Sequence, residues 1–150
     1  IFTMPNADLE SHTIFKMIKK FVKKNKNSYF FKSLGSLRFF SCLNCVDGMI
    51  GNSSSGLLEM PSFKKGTINI GDRQLGRLIA NSVITVKANK KEIIKGLNIL
   101  YSKKFQSKIK KTKNPYGSGG SSKKIIKILK KIDLKNVLKK KFYIQNFKNV

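Results

Sequence analysis

Short apolar runs alternate with amphipathic stretches along most of this chain, and no other feature constrains its fold so tightly. Met4–Pro5 reads as the exit from a first strand, because proline cannot donate to a ladder. Ile14, Met17, Ile18, Phe21 and Val22 then recur at helical spacing, with Ser11 as the expected N-cap. The spacing further predicts strands over Ser28–Leu34, Gly48–Gly51, Thr67–Ile70 and Ser82–Val86. Helices are expected over Leu37–Val46, Ser53–Met60, Glu92–Leu100 and Lys103–Lys110, the second of them bending or stopping at Pro61. After the loop Asn114–Ser122, a last helix capped by Ser121 or Ser122 carries Ile125, Ile126, Ile128, Leu129 and Ile132 as an apolar stripe, expected to pack on the sheet. This alternation implies an α/β fold: a parallel sheet with helices on both faces. The 150 residues suffice for one domain, taken as residues 1–132, followed by a Lys-rich tail, 133–150.

In such sheets ligands bind beyond the carboxyl ends of the strands. The ends fall at Pro5–Asp8, Gly51–Gly56 and Gly71–Arg77, which are also the most unusual stretches of the chain. At the second, Gly51-Asn52-Ser53-Ser54-Ser55-Gly56, a short apolar strand meets a helix start. Unpaired N–H groups of the first turn, the helix dipole and three hydroxyls would all favour an anion there, and small residues allow a diphosphate close to the backbone. A plain serine-capped turn accounts for the same residues. The pattern is not G-x-x-x-x-G-K-[ST], which excludes a Walker-type nucleotide site. Glu59 lies about a turn further on, between Leu58 and Met60. Its carboxylate can accept from both hydroxyls of a ribose, or pair with a neighbouring lysine. At the third stretch, Arg73 is placed to reach a phosphate, Arg77 to do likewise or to hold the loop, and Asp72 to position an arginine.

Charge and cysteine content narrow the function classes. Against 7 acidic residues stand 32 basic ones, a net charge of +25 that invites polyanions. Most are lysines beside abundant asparagine and isoleucine, residues that share A/T-rich codons, so the charge need not carry a function. The arginines, Arg38, Arg73 and Arg77, are more informative, because their planar fork suits phosphate. Cys42 and Cys45 form a C-x-x-C, but a zinc site needs about four ligands and His12 is the only histidine. They are taken as small apolar residues on one side of a helix, and neither a metal nor a cofactor is expected. No apolar run approaches the roughly 20 residues of a membrane span. No signal peptide is recognised, so a cytoplasmic protein is expected, and the initial Ile1 suggests a start further upstream.

Taken together, P-N-A-D (5–8), F-K-S-L-G (31–35), G-N-S-S-S-G-x-x-E-x-P-S-F (51–63), N-I-G-D-R-Q-x-G-R (69–77) and N-P-Y-G (114–117) resemble the hydrolysing UDP-N-acetylglucosamine 2-epimerases from Met4 to about Ile132. The resemblance implies a GT-B-type enzyme of two Rossmann-like domains facing across a cleft. This chain matches the second, UDP-binding domain and is a fragment that lacks the first. Position by position, Ser53 and Ser54 would bind the diphosphate and Glu59 the ribose hydroxyls. Arg73 would contact the phosphates, Asn6 would line the cleft, and Leu34 would lie against the uracil. Asn52, Ser55, Asp72 and Arg77 are secondary candidates in the same motifs. The family reaction eliminates UDP with loss of the proton at the sugar's second carbon, then adds water to release N-acetylmannosamine, which feeds sialic-acid-like glycans. Its acids and bases come largely from the first domain, so no catalytic residue is assigned here, and His12 is not at a position the family uses. The implied partners are UDP-N-acetylglucosamine or UDP, the missing first domain and a second copy of the chain.

Other readings share some of these features. A non-hydrolysing 2-epimerase or another GT-B enzyme using a UDP-sugar would have a similar nucleotide site. A nucleic-acid-binding module would explain the charge, but the basic residues spread over several helices and no aromatic platform is recognisable, so no specific nucleic acid is expected. Lys123–Phe147 is basic and amphipathic enough for an anionic membrane surface. The favoured reading makes its stripe a domain helix and expects no membrane partner.

Overall fold

The computed structural model of the chain describes residues 1–5 and 10–133. It divides into two compact units, Ile1–Gly117 and Ser118–Val150, parting inside the glycine-rich loop. The first unit contains strands β1 (Phe2–Thr3), β2 (Phe30–Phe31), β3 (Gly48–Gly51), β4 (Gly66–Ile70) and β5 (Val83–Val86), and helices α1 (Ser11–Lys24), α2 (Gly35–Cys45), α3 (Ser55–Leu58), α4 (Lys90–Leu100) and α5 (Lys103–Ile109). The second unit contributes α6 (Ser121–Leu129).

Every strand pairing is parallel, as the alternation predicts, but the described residues form two sheets where one was expected. β1 pairs with β2 over two positions, Phe2 with Phe30 and Thr3 with Phe31. β3, β4 and β5 form the second sheet in that order. A cavity of about 300 Å³ lies between β1 and β3, with Phe2, Thr3, Met49 and Ile50 on its wall. The two-residue β1 offers too few ladder groups to bridge that gap. Its small sheet is fastened to α1 by aromatic edges instead: Phe2 meets Phe21 at 5.6 Å and Phe30 meets Phe15 at 5.2 Å between ring centroids.

The three-stranded sheet is the core, with helical segments on both of its faces. Ile68, Val86, Leu100, Phe105 and Ile109 close one face under α4 and α5. On the other face Thr67 Oγ1 donates to the Gly56 carbonyl at 2.8 Å, joining α3 to β4. The fit is close on both sides. A methyl group on Gly56 would lie 2.5 Å from Thr67 Cγ2, and one on Gly66 would lie 2.2 Å from Leu100 Cδ1.

Several boundaries moved for identifiable reasons. The expected helix Ser53–Met60 shrinks to α3 plus a 3₁₀ turn, Met60–Phe63, because Pro61 has no N–H to continue the ladder. Ser11 does not cap α1; Glu10 occupies that position, without a side-chain bond. Gly120 in the left-handed region precedes α6 instead of a capping serine. Asn89 and Ser102 do cap α4 and α5, accepting from Glu92 N and Phe105 N. The α6 residues Ile125, Ile126, Ile128 and Leu129 are exposed. Cys42 and Cys45 are free thiols on α2. No helix among the described residues is long and apolar enough to cross a membrane.

Candidate functional site

Two short parallel strands deliver the central loop. β3 ends at Gly51 beside Asn69 of β4, so the turn Asn52–Ser54 and the loop Gly71–Arg77 leave the same sheet end side by side. Gln74 locks them together. Its side chain is buried, and Nε2 donates to the Asn52 carbonyl at 2.6 Å. Arg73 Nη1 donates to the same carbonyl at 3.5 Å. Gln74 was not singled out in the sequence; the signal available was its place between two arginines in a strand-end loop.

The turn itself differs from the expected nest of free N–H groups. Ser55 N donates to Ser53 Oγ at 3.3 Å, Gly56 N to Ser53 O at 3.2 Å and Leu57 N to Ser54 O at 2.9 Å. Helix α3 is also a single turn, too short for a substantial macrodipole. Much of the polar character at this end of the sheet therefore comes from side chains. Ser53, Ser54, Arg73, Gln74 and Arg77 line one polar pocket of about 340 Å³. Asp72, exposed, closes the loop through its carbonyl, which accepts from Leu75 N at 2.7 Å. Asn52 contributes that shared carbonyl.

Ser53 also borders a second cleft, of about 380 Å³, with Ser55, Glu59, Lys32, Leu34 and Phe40 among its walls. Leu34, half-buried, holds the N-cap position of α2 and so places the F-K-S-L-G turn at the cleft's edge. Phe40 of α2 stacks on Phe63 of the 3₁₀ turn, 6.2 Å between centroids, which ties the Glu59 segment to that helix. Glu59 Oε2 is shielded from solvent and has no hydrogen-bond partner among the described residues. No lysine there lies within ion-pairing distance of Glu59. A carboxylate oxygen in that state requires a donor, since an unpaired buried acceptor is costly.

The structure thus brings Ser53, Ser54, Ser55, Glu59, Leu34, Arg73 and Arg77 to one strand-end region, with Ser53 at the junction of the two clefts. Asn6 lies outside the described residues. Arg38 is exposed on α2 and lines neither cleft, and no cluster of metal-ligating side chains occurs among the described residues. An acceptor-bearing cleft joined to a donor-rich pocket suits a ligand with a polyol at one end and phosphates beside it.

Comparison with known proteins gives the family. The sequence model of the family described as UDP-N-acetylglucosamine 2-epimerase matches residues 1–130. The polysialic acid biosynthesis protein P7 of Escherichia coli is 42% identical over 144 residues, 95% of this chain and 37% of that protein. A GDP/UDP-N,N'-diacetylbacillosamine 2-epimerase (hydrolyzing) of Campylobacter jejuni is 40% identical over the same shares. A UDP-N,N'-diacetylbacillosamine 2-epimerase (hydrolyzing) of Legionella pneumophila is 35% identical over 87% of this chain and 33% of its own. The chain spans 33–37% of the length of these relatives.

Proposed function

The chain belongs to the UDP-N-acetylglucosamine 2-epimerase family, and from that premise we propose that it holds the UDP portion of a UDP-sugar for the hydrolysing reaction. The reading rests above all on Glu59, which lines a cleft shared with Ser53, Ser55 and Leu34 and has a carboxylate oxygen with no hydrogen-bond partner among the described residues. In this reading Glu59 accepts from the ribose hydroxyls. Leu34 and the turn around it flank the uracil, and Asn6 borders the same ligand. Ser53 and Ser54 donate to the diphosphate, and Arg73 and Arg77 supply the positive charge that neutralises it. When UDP leaves the sugar, those same arginines stabilise the charge gathering on the departing diphosphate.

The whole reaction proposed is conversion of UDP-N-acetylglucosamine, or a related 2-acetamido sugar, to UDP and the free 2-epimer. The hydrolysing outcome is supported by two relatives named as hydrolysing 2-epimerases. Departure of UDP and removal of the proton at the sugar's second carbon need an acid and a base, which this reading places in a further domain facing the cleft. On its own the chain binds UDP and releases no N-acetylmannosamine.

The test is a thermal-unfolding scan with UDP, with inorganic pyrophosphate and without ligand, on the wild type and Glu59→Ala. At about 100 times its Kd a ligand stabilises by roughly 2.7 kcal/mol, a shift on the order of 5–10 °C for this size. UDP should shift the wild type more than pyrophosphate does, and the excess should shrink in Glu59→Ala. Equal shifts for both ligands in the wild type would mean that charge alone attracts anions, and the nucleotide-site reading would fall.

A further inference from the structure

The segment carrying Glu59 has a structural weakness, and a distant side chain repairs it. In a continuing α-helix the Leu58 carbonyl would accept from Ser62 N. Here Pro61 breaks the ladder and Ser62 N turns to the Glu59 carbonyl at 2.9 Å, leaving the Leu58 carbonyl without its helical partner. Asn114 Nδ2 donates to that carbonyl at 2.7 Å and to Ser62 Oγ at 2.7 Å, so it grips the residues on both sides of Glu59. The orientation of the amide is dictated by chemistry: the Leu58 carbonyl can only accept, and Tyr116 N donates to Asn114 Oδ1 at 2.9 Å. Gly117 N donates to the Asn114 carbonyl at 3.1 Å and closes the turn. From that turn Tyr116 reaches the other half of the site, its hydroxyl donating to the Leu78 carbonyl at 3.1 Å, one residue beyond Arg77.

We propose that Asn114 is a positioning residue for nucleotide recognition, holding the backbone that aims Glu59 into the cleft. Tyr116 ties the same turn to the end of the arginine loop. The N-P-Y-G turn is therefore a two-armed brace that sets the distance between the carboxylate and the arginines. The inference rests on the reading of Glu59 as the ribose acceptor. A ligand with a ribose should feel the brace, while a bare diphosphate, held by Ser53, Ser54 and the arginines, should not depend on the Asn114 arm.

The experiment is calorimetric titration of the purified chain with UDP and with inorganic pyrophosphate, read as the ratio of their affinities so that attraction by net charge cancels. Glu59→Ala should lower that ratio about tenfold, the usual scale for hydrogen bonds to a charged group. Asn114→Ala should lower it several-fold with pyrophosphate affinity unchanged, and should add nothing in the Glu59→Ala background, because the two act as one unit. Equal weakening of both ligands, or a full additional loss in the double variant, would reduce Asn114 to general stability and overturn the inference. If Glu59→Ala leaves the ratio at the wild-type value, the ribose reading itself is wrong and the brace has no ligand to serve. Should Asn114→Ala fail to fold by circular dichroism, Ser62→Ala decides by the same criteria. It removes one of the two acceptors of Asn114 and should give a smaller loss in the same direction.

Discussion

At the scale of single residues, the side chains that matter are those whose polar atoms lack an obvious local partner. Glu59 Oε2 and Gln74 Oε1 are both shielded and unpartnered among the described residues, yet they differ in kind. Glu59 borders the larger cleft, whereas the other end of the Gln74 side chain is committed to the Asn52 carbonyl. We expect Gln74→Leu to loosen the turn bearing Ser53 and Ser54. Loss of a buried hydrogen bond of this type costs about 1–3 kcal/mol. Pyrophosphate and UDP should weaken together in this variant, a pattern opposite to that of Glu59→Ala, and calorimetry of both ligands checks it. Selective loss of UDP would tie Gln74 to the proposed role of Glu59. Glu59 stood out in the sequence as an acid among apolar neighbours in a chain so poor in acids. Gln74 and Asn114 were not legible as site-builders, because their partners lie 22 and 56 positions away and only folding brings them together.

Elements are short here, and their ends decide the site. α3 is one turn because Pro61 follows it, and β1 is two residues because Pro5 follows it. The expected helix Ser53–Met60 was not formed as one helix for the first of these reasons, and the single sheet was not realised where β1 and β3 line a cavity instead of pairing. Elsewhere packing tolerates almost nothing. Gly66 opens β4 directly against Leu100 and Phe105, so Gly66→Ala forces both side chains to move. Overpacking of this sort costs about 1–3 kcal/mol, and chemical denaturation should register it as a lower midpoint with an unchanged slope. An unchanged midpoint would mean that α4 and α5 shift freely over the sheet. The cap of α4 offers a milder case: Asn89→Ala should lower stability by about 1 kcal/mol, since Glu92 N then loses its acceptor. No effect there would show that solvent serves the Glu92 amide equally well.

For the whole molecule, core, clefts and brace all lie within Ile1–Gly117. A chain ending at Gly117 should therefore fold and keep its preference for UDP over pyrophosphate. Loss of cooperative unfolding in that truncation would assign the second unit a share of the core. The charge of +25 adds a separate, unspecific behaviour. Binding to duplex DNA should fall steeply with added salt, whereas the ratio of UDP to pyrophosphate affinity should hardly change. A salt-insensitive, sequence-selective DNA complex would revive the nucleic-acid reading.

What could be known before folding and what could not divide along a physical line. Local chemistry reported itself in the order of residues: apolar periodicity marked the elements, Pro5 and Pro61 their ends, and the strand-end motifs from Gly51 to Arg77 the end of the sheet where the two clefts lie. Those signals are short-range, because a strand, a turn or a helix start is specified by neighbours a few positions apart. Tertiary structure alone decided which backbone carbonyls were left unpaired and which distant side chain answered them. It also decided that Ser53 stands where two clefts meet, and that Ser53, Ser54, Arg73 and Arg77 share one polar pocket. Such outcomes depend on hydrogen bonds between residues far apart in the chain, and they exist only once the sheet has brought those residues within about 3 Å of one another.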